Sequence, residues 1–257
     1  GSFFSDLQYA EAGAQIVKTP QEAFQQDLVL KINPPTNEEI DYLRACTYLV
    51  TALQINLRDS EYFNKLADKK VNAIAFEFIQ DEYKQLSLVR LIGEIAGTSS
   101  ILYASELLAL SNGLMLGGIT GVRPSEVIII GAGIVGEFAT KAAIGLGASV
   151  KVYDNSISKL RRLHTIIDSR VPTSMIDPKE LTKSLRRADV VIGALPRLNQ
   201  TPIVTEDMVL KMKKGSVIID VTIDNGKVFE TSELTTQENP YFIKHDVIHC
   251  GLPNLTS

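Results

Sequence analysis

The 257-residue chain has a net charge of −4, with 45% hydrophobic and 22% charged residues, an ordinary globular composition with room for two domains and a sizeable core. The absence of a basic run argues against a nucleic-acid surface, and no apolar run reaches the ~18 residues of a membrane span. Cys46 and Cys250 lie far apart without metal-ligand spacing, which fits a reducing cytoplasm and predicts no metal site.

In chain order, Asp27 to Pro35 reads as a strand closed by Pro34 and Pro35, which cannot continue a ladder. Glu38 to Leu43 reads as a short helix, Thr47 to Leu53 as a second strand, Tyr62 to Asp68 as a helix and Val71 to Phe78 as a third strand. The alternation predicts a small parallel α/β sheet that lacks a clear first strand of its own. Residues 88–110 suit one long helix, in which Gly93, Ala96, Gly97 and Ala104 let another backbone approach closely. We read it as a connector between residues 1–87 and residues 111–257, and as a surface suited to a partner copy. After a glycine-rich loop at 112–121, strands are expected at 126–130, 149–153, 189–193, 216–221 and near 246–249. Helices are expected at 134–146, 156–168, 178–186 and 205–212.

The densest information lies at residues 126–136, Glu-Val-Ile-Ile-Ile-Gly-Ala-Gly-Ile-Val-Gly. A β-branched run stops at Gly131, Gly133 and Gly136 follow, and a helical pattern takes over, which is the dinucleotide fingerprint in its strand–turn–helix context. Gly131 permits the turn, Gly133 lets the backbone approach a pyrophosphate, and Gly136 lets the helix pack on the strand. A second strand ends in Asp154, 18 residues after Gly136, where an acid receives ribose hydroxyls and favours NAD over NADP. Val191-Ile-Gly-Ala-Leu195 and Ile218-Ile-Asp-Val-Thr-Ile-Asp224 end strands at the same crevice, so Ala194 and Leu195 are expected to line it.

Together these segments resemble the alanine dehydrogenase and transhydrogenase NAD-binding-subunit family. The resemblance is carried by Gly131-Ala-Gly-Ile-Val-Gly136, Asp154-Asn-Ser-Ile-Ser-Lys-Leu-Arg161, Ala188-Asp-Val-Val-Ile-Gly-Ala194, Met212 through Gly226, Phe229-Glu-Thr-Ser232 and Pro253-Asn254. Upstream, Ala12-Gly-Ala-Gln15 and Leu30-Lys-Ile-Asn-Pro34 also fit. The Ile-Asp-Asn-Gly stretch favours the alanine dehydrogenase branch, and Gly93-Glu-Ile-Ala-Gly97 stands where the transhydrogenase branch carries an Arg- and Gln-rich segment. The resemblance implies an α/β fold with an NAD-binding Rossmann domain and a smaller, incomplete α/β substrate domain. The family has segments before and after the matched region, so the chain is expected to be a piece of a longer protein. It also implies NAD as cofactor, an amino acid/2-oxo-acid pair as substrate and a closed homo-oligomer.

Residue by residue, the resemblance makes Asp224 the aspartate of the reaction centre; the turn dipeptide Asn225-Gly226 offers a plainer reading of the same stretch. It adds Lys159 near the adenosine ribose and Asn254 near the nicotinamide. Other positions depart. Asn33 stands where the family has a carboxylate-binding lysine, Gln54 where it has a histidine, and Gly93 where it has a serine. The family's substrate-binding arginine lies in a segment that this sequence does not contain. Asn33 and Gln54 form hydrogen bonds but supply neither a cation nor a titrating group. Lys31, two residues from Asn33 on the same strand face, is a partial substitute or a solvated strand-end lysine. Glu77 reads as structural support, His249 as a core histidine and Cys250 as a buried apolar residue without a base partner. The alternative functions are an NAD-binding protein without dehydrogenase activity and a dehydrogenase for another amino or imino acid.

Overall fold

The computed structural model describes residues 4–55, 58–167, 171–196 and 200–253. The chain divides into two compact units, Gly1–Val89 and Arg90–Ser257.

The first unit begins with two short helices, α1 (Asp6–Glu11) and α2 (Pro20–Phe24). Ser5 and Gln8 form a reciprocal capping box on α1, and Thr19 caps α2 with Pro20 in its first turn. Then follow β1 (Leu28–Leu30), α3 (Asn37–Tyr42), β2 (Tyr48–Thr51), α4 (Ser60–Asp68) and β3 (Asn72–Ala75), which runs into a 3-10 turn at Phe76–Phe78. The three strands are parallel in the order β1-β2-β3. One sheet face packs Val29 and Leu49 with Ile40, Leu43, Tyr62 and Leu66 from the helical segments. The other face leaves Leu28, Leu30, Tyr48 and Ile74 exposed, although parallel sheets usually have both faces covered.

The second unit takes in nearly all of α5 (Ser87–Asn112). The helix expected to connect two domains thus belongs with the second, where Ile101, Ala104, Leu107 and Leu108 enter the main core. Next come β4 (Glu126–Ile130), α6 (Ile134–Gly145), β5 (Ser149–Asp154), α7 (Ile157–Ile166), β6 (Thr173–Met175), α8 (Pro178–Leu185) and β7 (Val190–Gly193). After them come α9 (Glu206–Val209), β8 (Val217–Asp220), a 3-10 turn at Ile223–Asn225, β9 (Phe242–Lys244) and β10 (Val247–Cys250). The sheet order is β6-β5-β4-β7-β8-β10-β9, parallel except for β9. This is a doubly wound Rossmann sheet whose order reverses direction beside β4. Along β4, Val127 and Ile129 face the α5–α6–α7 core, while Ile128 and Ile130 face the core built with Leu181 and Leu185 of α8. Such two-sided burial is what an uninterrupted apolar strand requires. Among the described residues, no helix is long and apolar enough to cross a membrane.

Candidate active site

The fingerprint glycines occupy three different environments. Gly131 has φ +121, and a Cβ there would lie 2.3 Å from the Ala194 carbonyl oxygen. A Cβ on Gly136 would lie 1.8 Å from the Gly131 carbonyl oxygen. Both positions are therefore glycine because the backbone leaves no room. Gly133 differs: a Cβ would meet nothing within 4 Å, and its φ of −74 is open to any residue. It is the N-cap of α6, and no side chain caps that end. The helix thus presents uncapped N–H groups and its positive dipole end to open space, a cradle that fits a pyrophosphate.

The turn is held from several sides. The Gly131 N–H donates to the Tyr153 carbonyl at 2.7 Å. The Ala132 N–H donates to Asp154 Oδ2 at 2.7 Å, and Arg162 donates to the Ala132 carbonyl at 3.3 Å. Asp154 Oδ1 accepts the Ser156 N–H at 2.7 Å, and the carboxylate is fully buried. Asp154 therefore braces the glycine turn, a task that its spacing did not reveal; a carboxylate has further lone pairs for ribose hydroxyls. Behind the turn, the buried Glu137 binds Lys141 at 2.7 Å and Arg162 at 2.9 Å, with Arg90 at 3.9 Å. Burial pushes its carboxyl up, but Lys141 and Arg162 more than offset this and hold it below the usual range.

Ala194 and Leu195 follow β7 and are both buried, with the Ala194 N–H bound to the Ile130 carbonyl at 2.7 Å. They form the floor against which Gly131 turns. Lys159 lies exposed in the first turn of α7, with its backbone N–H donating to the Ser156 hydroxyl at 3.5 Å. Asn254 lies outside the described residues.

Asp224 is exposed in the 3-10 turn after β8, with its Oδ1 accepting the Asn225 side-chain amide at 3.0 Å. Strands β4, β7 and β8 are neighbours, so the ends carrying the fingerprint and Asp224 stand about 10 Å apart, two strand spacings. Surface clefts of about 380 and 420 Å³ lie at the amino ends of this sheet, lined by residues such as Glu126 and Ser149 or Ser125 and Asp189. The chemistry-bearing groups stand at the opposite, carboxyl end.

In the first unit, Lys31 and Asn33 follow β1, Gln54 follows β2 and Glu77 follows β3, so parallel pairing brings them to one sheet edge. Lys31 is engaged by Glu39 at 3.1 Å and so is not a free cation. Asn33 is exposed, with its carbonyl accepting the Thr51 hydroxyl at 3.0 Å. Gln54 holds a left-handed backbone, φ +50. Glu77 fixes that conformation: its two oxygens accept the N–H groups of Leu53 at 3.1 Å and Gln54 at 2.7 Å.

The histidines serve the fold. His164 bonds the Thr173 hydroxyl at 2.9 Å, and His245 bonds Glu206 at 2.6 Å. His249 is buried, donates from Nδ1 to the Val247 carbonyl at 3.0 Å, meets the Thr231 hydroxyl at 2.8 Å through Nε2, and stacks on Phe242. Burial lowers its pKa to about 4, which keeps it neutral. Burial likewise raises the Cys250 thiol, away from nucleophilic character.

Family models for the alanine dehydrogenase/PNT N-terminal and C-terminal domains match residues 1–96 and 100–257. Alanine dehydrogenase 2 of Staphylococcus aureus (strain USA300) is 38% identical over 261 residues, covering 99% of this chain and 70% of that protein. A solved L-alanine dehydrogenase superposes with a TM-score of 0.84 at 33% identity, covering 98% of this chain and 71% of the other. A transhydrogenase from Sinorhizobium meliloti shares the fold, with a TM-score of 0.80 at 22% identity over 99% of this chain and 74% of its own.

Proposed function

The chain belongs to the alanine dehydrogenase/PNT family as an NAD-dependent, alanine dehydrogenase-like oxidoreductase, and on that premise we propose that it oxidises L-alanine to pyruvate and ammonium. The carrying observation is Gly133, the fingerprint glycine that the fold itself does not need, at the uncapped head of α6 and two strands from Asp224.

Bound NAD supplies the acceptor for the hydride that leaves the substrate α-carbon. The protein's own groups do the rest. The α6 N-terminus receives the pyrophosphate and the braced Asp154 the adenosine ribose, with Lys159 beside it. Ala194 and Leu195 close the floor. Asp224, exposed past β8, is the carboxylate to which this reading gives the protons that move as the α-carbon becomes carbonyl and water replaces the amine. At the end of the first unit's sheet, Asn33 and Gln54 offer neutral hydrogen-bonding groups suited to a polar substrate. Lys31, paired with Glu39, is not available there as a free cation for a substrate carboxylate. The two free cysteines suit a cytoplasmic setting, and the family resemblance supports a homo-oligomer.

The pairing of Lys31 with Glu39, together with neutral Asn33 and Gln54, favours a second reading: an NAD-binding protein without turnover. Calorimetric titration with NADH and NADPH, followed by NADH formation from NAD and L-alanine, separates the two. The dehydrogenase reading expects saturable NADH binding, poor NADPH binding and alanine-dependent NADH production. NADH binding without turnover on any amino acid selects the second reading, and no binding of either nucleotide removes both.

A further inference from the structure

Asp220 ends β8 with its carboxylate fully buried, and among the described residues it forms no ion pair. Its Oδ1 accepts both the N–H of Thr222 at 3.3 Å and the hydroxyl of the same residue at 3.2 Å. Its Oδ2 accepts the Val228 N–H at 2.9 Å. Thr222 and Val228 are the two stems of a short loop. Between them lie the 3-10 turn Ile223–Asn225, with Asp224 exposed at its centre, and Gly226 at φ +90. The Val228 stem is otherwise tied elsewhere, its carbonyl accepting from Ile203 and Val204. Among the described residues, no side chain but that of Asp220 hydrogen-bonds residues 220–223 to residues 226–230.

We propose that Asp220 is a positioning residue: one buried carboxylate fastens both stems of the 222–228 loop and thereby sets the place of Asp224 at the reaction centre. The proposal rests on the role given to Asp224 above. An ionised carboxylate suits the task because it is acceptor-only, with sites on both oxygens to receive donors from two directions. Fold stability alone gives little reason for it. Burial, only partly offset by donors at Val228, Phe229, Ser232 and Thr222, pushes its pKa up to about 6, so the site resists the charge it carries. A buried charge without a counter-ion is a poor stabiliser, and a well-packed neutral residue serves a core better.

The test uses the whole chain with Asp220→Asn, which keeps the shape but turns one acceptor into an amide donor and so releases one stem. Amide hydrogen exchange is followed along the chain, together with NADH affinity and the kinetics of amino-acid oxidation. Exchange across 222–228 is expected to rise about tenfold or more while β7 and β8 keep their protection. NADH affinity stays within about twofold, and kcat falls about 10- to 100-fold with little change in KM, as for a residue that orients a reacting group. Unchanged exchange in the loop overturns the proposal. So does faster exchange spread evenly over β7 and β8, which marks a general structural role. If Asp220→Asn does not fold, Thr222→Val removes one donor with less disturbance; loosening confined to 222–228 supports the clamp, and unaltered exchange overturns it. A wild-type chain that binds NADH without turnover removes the dehydrogenase reading, and the exchange data still decide the clamp.

Discussion

Three glycines in six residues look equivalent as a motif and are not equivalent as physics. Gly131 and Gly136 are required by contacts to backbone oxygen, whereas Gly133 faces open space. Gly133→Ala is therefore expected to cost less than about 1 kcal/mol of stability, roughly the difference between glycine and alanine at an N-cap. The added methyl would stand where the pyrophosphate approaches, so NADH affinity should fall by about tenfold or more, or at least 1.4 kcal/mol. Gly136→Ala should reverse the pattern, losing about 1–3 kcal/mol through overpacking. Urea denaturation and calorimetry on the two variants check this; equal loss of stability at both positions would remove the ligand argument. The motif was legible because glycines, a β-branched strand and a terminal acid leave a sequence pattern. Glu77 was legible as structural support only through the family resemblance, and the bracing by Asp154 and Asp220 left no pattern: each carboxylate binds backbone N–H groups, and a backbone donor has no sequence identity.

At the scale of elements, the crossing of α5 on α6 explains the small residues of the long helix. A Cβ on Gly97 would lie 2.3 Å from the Val135 carbonyl oxygen, and one on Gly93 would lie 3.0 Å from the Ile134 side chain. Those glycines seat the fingerprint helix, so the stripe read as a domain or partner contact serves the nucleotide unit itself. Gly97→Ala should destabilise by about 1–3 kcal/mol even though alanine is the better helix former. Gly145, in the last turn of α6 with nothing near its Cβ position, is the control: Gly145→Ala should be neutral or stabilising by up to about 1 kcal/mol in the same urea titration. Long apolar strands were legible, and β4 falls where its β-branched run placed it. The elements that pattern alone missed are short or polar: α1, α2, three-residue β6, and β9, which turns into β10 through His245 and Asp246 at positive φ without a glycine to announce it. The last expected helix, 205–212, contracts to Glu206–Val209.

For the molecule as a whole, two buried groups act on stability in opposite directions over one pH range. Asp220 has its folded-state pKa raised from 3.8 to about 6, so between these values the native state holds a proton that the unfolded chain has released. Its contribution to stability therefore falls as pH rises through that window. His249 is lowered from 6.5 to about 4, so there the unfolded chain holds a proton that the native state lacks, and its contribution rises with pH. Each amounts to about 2 kcal/mol between about pH 4.5 and 7, so the two largely cancel and neither shows in the wild type. Substitution separates them. Relative to wild type, Asp220→Asn should gain about 2 kcal/mol on going from about pH 4.5 to 7, and His249→Gln should lose a similar amount over the same interval. Denaturant unfolding of the three proteins at both pH values measures each slope by difference, which removes the titration of the other carboxylates they share. A flat difference for Asp220→Asn would mean that its carboxyl titrates in the ordinary range, and the claim that the fold tolerates an unfavourable charge to hold a loop would lose its energetic support.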